Sequence, residues 1–92
     1  MRCEWDGEKN LENIRKHKID FADVPGMFTT PMIFELDDRE EYGEDRWIGI
    51  GILRNLVAVV VFVEHREDTM RIISARKANK HEGKRYTENL RI

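Results

Sequence analysis

Apolar residues change their spacing twice along this chain. Near the start they are sparse and helically spaced, Leu11 and Ile14 with Ile19 beyond. From Met32 to Ala75 they gather into short runs rich in Ile and Val, and after Ala78 only Tyr86 and Leu90 interrupt a polar segment. Helix, strands, helix is the order this predicts. Arg2 to Trp5 reads as a short strand. Asp6 is placed as N-cap of a helix from Gly7 to His17, with Glu8 in its first turn. Having only Leu11 and Ile14, that helix is expected to bury Trp5, Asn13 and His17 as well. Asp20 caps a second helix, which Pro25-Gly26 should limit to one or two turns.

Met32 to Leu36 reads as a strand and Asp37 to Asp45 as an acidic loop. Arg46 to Leu53 and Leu56 to Glu64 form a hairpin across Arg54-Asn55, with Asn55 expected to take the positive φ. Val57 to Val63 is apolar at both parities, as a central strand covered on both faces should be. Glu67-Asp68 turns the chain into Met70 to Ala75. Asn79 and Glu82 then make a capping box for a helix from Lys80 to about Leu90, with Glu82, Tyr86 and Leu90 on one face. Gly83 costs this helix about 1 kcal/mol relative to alanine, and its thin apolar anchoring predicts mobility without a partner. The sum is one α+β domain over residues 1–92: N-terminal helices, a three- to four-stranded antiparallel sheet and a C-terminal helix.

Charge alters this picture only when it is mapped. The net charge of −2 argues against nucleic-acid binding driven by overall charge. Yet Asp37, Asp38, Glu40, Glu41, Glu44 and Asp45 stand against Arg39 alone, whereas Arg71, Arg76, Lys77, Lys80, Lys84 and Arg85 stand against Glu82 alone. The single cysteine, Cys3, can form no internal disulfide and no thiol-based metal site with the three histidines. The longest apolar region, Ile48 to Val63, is broken by Arg54-Asn55, short of the roughly 20 residues of a membrane span. A protein of the reducing cytoplasm, with no membrane role, is the expectation.

Arg66, Arg71 and Arg76 recur every five residues through the last strand, which needs no arginine to form. Guanidinium forks match phosphate oxygens in pairs, so an anionic partner is one reading, and solvated strand-end charges are the other.

Three blocks, EWDGEKNLENIRKHKIDF, YGEDRWIGIG and REDTMRIISARKANKHE, stand in the order and register of the BrnT family of bacterial toxins, which the chain resembles over nearly its whole length. The resemblance implies a RelE-like ribonuclease fold with helices against one side of an antiparallel sheet. It also implies RNA cleavage that arrests growth, and neutralisation by a DNA-binding, BrnA-like antitoxin, through which alone the complex reaches operator DNA. No cofactor is implied. Lys18 stands where the family usually has Gly, so a left-handed C-cap there carries a penalty on the order of 1 kcal/mol.

Cutting RNA without a metal takes a base for the 2'-hydroxyl, cations for the phosphorane and an acid for the leaving oxygen. The catalytic candidates are Arg66, Arg76, Glu64, His65 and His17. Those for holding substrate are Arg71, Lys9, Arg46, Lys77, Lys80 and Tyr86. In a regular strand Arg71 and Arg76 point to opposite faces, so Arg66 and Arg76 are the preferred clamps and Arg71 a structural partner for the acidic loop. His17 reads first as a packed histidine and Arg46 as an ion-pair partner of Glu44. Trp5, Trp47 and Tyr86 could stack a base, though each also suits a core. Asp37-Asp38 and Glu40-Glu41 lack the convergence Mg²⁺ needs. A toxin-like module of weak catalysis, whose basic end grips an acidic antitoxin segment, is the alternative.

Overall fold

In a computed structural model that describes residues 1–90, strand β4 (Leu56–Arg66) lies at the centre of a five-stranded sheet of order β1-β5-β4-β3-β2. Its apolar residues at both parities are used as the pattern predicts. Ala58, Val60 and Phe62 face one core and Val59 and Val57 a second, on the other side. β3 (Arg46–Leu53) and β5 (Thr69–Lys77) flank it antiparallel, and β2 (Ile33–Asp37) closes one edge beside β3. The other edge is β1 (Arg2–Glu4), which runs parallel to β5. The sheet is therefore mixed and has one strand more than the predicted meander, because a three-residue strand leaves almost no periodicity to read.

The first core lies under α1 (Gly7–His17) and a succession of 3-10 turns, Phe21–Thr29. Phe21, Val24 and Met27 are fully buried there, each contributing about 1.5–3 kcal/mol of transfer free energy. The turns run through Pro25 to Thr29, beyond the expected limit. α1 buries a polar face. Leu11 is 69% exposed, whereas Asn13 is 6% exposed, donating to the Ile19 carbonyl at 2.9 Å and accepting from the Ala75 N–H at 3.2 Å. Trp5 packs edge-on to Phe21, as expected of it. His17 is exposed and not packed; it lies in the last turn, just before the Lys18 cap that leaves the helix in the left-handed region (φ 61°).

The second core is smaller: Ile50, Val59 and Tyr86, with Leu90 packed against them. It puts α2 (Lys80–Asn89) on the face away from α1, so helices cover both sides of the sheet and not one. Few apolar contacts hold α2, and polar ones supplement them: the Tyr86 hydroxyl donates to the Pro31 carbonyl at 2.7 Å, and Arg85 clasps Glu35. In the β3–β4 turn Arg54, not Asn55, takes positive φ (57°). Its guanidinium reaches Asp23 of the 3-10 segment at 2.9 Å, a long-range tie that offsets part of the left-handed cost.

Candidate functional site

Strand β5 does not alternate regularly. Val61 is opposite Ser74 but Phe62 is opposite Ile72, so Ile73 is an extra residue, a bulge, in β5. Residues opposite one another share a face, which puts Arg71 with Val63 and Arg76 with Val59, on the α2 side. The parity argument that separated the two arginines fails here, because one bulge between them restores them to a common face.

The register lays out that face in rows. Asp37 is beside Arg46, and Glu4 is beside Arg71. Trp47 pairs with Phe62, the last pair of β3 with β4; Arg46 precedes Trp47 on β3, and Val63, next after Phe62 on β4, has Arg71 as its β5 neighbour. Arg46 and Arg71 thus lie on the same face at neighbouring ends of β3 and β5, on either side of β4. A row away, Glu35 lies beside Ile48 and Val61 beside Ser74; beyond these come Ile50, Val59 and Arg76, where α2 begins its cover.

The arginines of this face differ in what holds them. Arg76 gives both terminal nitrogens to Glu82, at 2.8 and 2.7 Å. That carboxylate also accepts from the Asn79 N–H, completing the predicted capping box. The Arg76 pair pulls the Glu82 carboxyl down to about 2. Arg85 is matched to Glu35 at 3.2 and 2.7 Å. Arg39 donates to Asp37 at 2.7 and 2.8 Å. Asp37 is no loop residue but the buried end of β2, its carboxyl held at about 2 by the Arg39 hydrogen bond. Arg39 is also close enough to Arg76 to weaken the latter's hold on its proton, though Glu82 prevails.

Arg46 and Arg71 have no carboxylate partner among the described residues. Arg46 lies over the Tyr42 ring at 4.0 Å, a cation–π contact, with its Nε buried and unbonded. The expected pairing with Glu44 is not made, nor is one between Arg71 and the acidic loop.

His65 is the extra residue of a second bulge, between Glu64 and Arg66. Its Nδ1 lies 3.0 Å from Glu4 Oε2, while Arg66 reaches the other oxygen at 3.3 Å. These contacts lower the Glu4 pKa, the His65 hydrogen bond most of all. A carboxylate that accepts from Nδ1–H leaves Nε2 free to take a proton. Glu4, the register partner of Arg71, was not among the candidates, since nothing in a three-residue strand marks its carboxylate.

The remaining candidates disperse. Glu64 lines a cavity on the α1 side, as does Arg66. Lys77 shares its row, and hence its face, with buried Ala58. Lys9 and His17 are exposed on α1, and Lys80 is exposed at the start of α2. Tyr86 is 6% exposed, with burial raising its pKa and its hydroxyl committed to Pro31, so its ring offers no surface to a base.

Comparison with known proteins bears on the family and the fold. A family model described as "Ribonuclease toxin, BrnT, of type II toxin-antitoxin system" matches residues 5–82. The chain is similar to a crystal structure of the Brucella abortus ribonuclease toxin, BrnT, at 28% identity and TM-score 0.68, over 87% of this chain and 99% of that one. No curated protein matches the chain.

Proposed function

The chain belongs to the BrnT family of ribonuclease toxins of type II toxin-antitoxin systems, and from that membership we propose that it cuts RNA on the arginine-lined face between β3 and β5. The observation that carries the assignment is the row Arg46, Val63, Arg71, Glu4 with His65 beside it. Two uncommitted guanidinium groups flank one apolar residue, and a carboxylate-oriented imidazole lies at the end of the row.

His65 Nε2 takes the 2'-hydroxyl proton as the 2'-oxygen attacks the adjacent phosphorus. Arg71 and Arg46 neutralise the charge growing on the non-bridging oxygens. The bond to the 5'-oxygen breaks as that oxygen takes a proton from water, the His65 imidazolium returns its proton to solvent, and the products are a 2',3'-cyclic phosphate and a 5'-hydroxyl. Glu4 stabilises the imidazolium formed on the way. Arg76 stands at the border of the site with its charge shared by Glu82, so it positions strand and helix. Cleavage arrests growth, and a DNA-binding, BrnA-like antitoxin neutralises the protein and carries the complex to operator DNA.

The test is RNA cleavage by purified protein with a chelator present. Arg71→Ala and His65→Ala are each expected to lower the rate about 10²- to 10³-fold, and Arg66→Ala by far less. Full activity in both of the first two variants would sink the assignment. One observation favours a weaker catalyst: Arg39, Arg76 and Arg85 are all matched to carboxylates. Under that reading induction without antitoxin leaves growth and RNA intact.

A further inference from the structure

The sheet face opposite Arg46, Arg71 and Arg76 carries a groove of about 440 Å³, lined by aromatic rings and also by Glu64, Arg66 and Asp68. Phe28, Phe34 and Phe62 form its floor, with centroids 5.4–6.1 Å apart, and Trp47 closes one side. Phe34 can lie flat there because its partner across the strands is Gly49. A Cβ on Gly49 would come within 3.2 Å of the Phe34 ring and 2.9 Å of Met32. Phe34 is nonetheless 50% exposed and Leu36, two residues on and beside Trp47, is 47% exposed. Both belong to β2, the edge strand, whose outer backbone groups have no strand beside them among the described residues.

The charge next to this strip is negative and uncompensated. Leu36 lines a second concavity with Asp38, Glu40, Glu41, Glu44 and Asp45, none of which has an ion-pair partner among the described residues. Of the six basic residues from Arg71 to Arg85, three are paired, Arg76 with Glu82, Arg85 with Glu35 and Lys84 with Glu88. The unpaired acidic loop supports a grip of the opposite polarity to the one expected of the basic end. An acidic border also repels phosphate, which disfavours RNA as the occupant despite the aromatic rings.

Resting on the toxin reading above, we infer that β2 and the aromatic groove are the docking surface for the antitoxin, and that the segment it offers is an extended strand with apolar side chains flanked by lysine or arginine. The strand pairs with the free edge of β2 and places alternate side chains over Phe34 and Leu36. Its basic end runs along the loop from Asp38 to Asp45.

Two fluorescein-labelled peptides test this, both with Leu and Phe alternating with Thr, one ending in lysines and the other in glutamates. Fluorescence anisotropy should show the lysine peptide binding about tenfold or more tightly than its counterpart at low salt, converging as salt rises. Phe34→Ser should weaken both about tenfold, and the pair Glu40→Lys with Glu41→Lys should abolish the discrimination while leaving apolar binding in place. The inference is overturned if neither peptide binds, if the glutamate peptide binds more tightly, if an RNA oligonucleotide binds in a Phe34-dependent way, or if the groove is covered by a second copy, seen as dimerisation that Phe34→Ser abolishes. RNA cleavage is measured on the same variants. Cleavage unchanged in Phe34→Ser separates this surface from the catalytic face, and wild-type protein that binds peptide without cutting RNA overturns the functional reading alone.

Discussion

Glu82 serves two structures with one carboxylate, closing the capping box of α2 and holding both terminal nitrogens of Arg76. With Asp37 it is one of two acids held at about 2, from ordinary values of 4.5 and 3.8. A depressed carboxyl stabilises the fold above its unfolded value and loses that contribution as pH falls through the folded one. The protein is therefore expected to lose stability between about pH 4.5 and 2, by about 1–2 kcal/mol for Glu82 after solvent screening. Urea midpoints at pH 6 and pH 3 check this, and in Glu82→Gln the drop between them should shrink. Asn13→Leu should cost more at neutral pH, about 2–3 kcal/mol, because the Ala75 N–H and the Ile19 carbonyl are left buried without partners. A midpoint within a few tenths of a kcal/mol of wild type would show that these groups find water instead.

At the scale of elements, Lys18 in the left-handed region is a cost that Gly would remove. Lys18→Gly should raise stability by about 0.5–1 kcal/mol, read as a higher melting temperature. Its own hydrogen bond to the Arg15 carbonyl is exposed and contributes little against that. The position of the cap, α1 and the run from β3 to β5 were legible because hydrophobic spacing and capping residues are local signals. The partition of faces was not. Ile72, Ile73 and Ser74 give no sign of a bulge, being neither glycine nor proline and apolar at both parities through Ile73. Glu4 and Arg71 come together only by parallel pairing across 67 positions, taken from 71 − 4, which no window along the chain can see. Arg66 stood out in the sequence for its spacing, yet the structure gives it to Glu4 and the cavity rim.

Seen whole, the molecule separates its side-chain chemistry by sheet face: Arg46, Arg71, Arg76 and α2 on one, aromatic rings on the other. Strand β2 belongs to both, since Glu35 and Asp37 hold Arg85 and Arg39 while Phe34 and Leu36 point the other way. On the proposed function RNA cleavage should fall with added salt, because Arg46 and Arg71 would hold the substrate with Arg39 and Arg76 nearby. Arg71→Lys should recover only part of the loss seen in Arg71→Ala, as a point charge replaces a planar fork. A salt-independent rate, or full rescue by lysine, would count against phosphate contact at this row.

The extra residue at Ile73 is what lets an odd spacing end on one face. Deleting it would set Ser74 directly after Ile72, still opposite Val61, and leave Arg76 opposite Val59, so every later side chain would keep its side of the pleat and only the local twist of the bulge would go. The loss of that one isoleucine codon should therefore be tolerated, whereas the loss of Val60 from the unbroken ladder of β4 would invert the molecule's assignment of inside and outside.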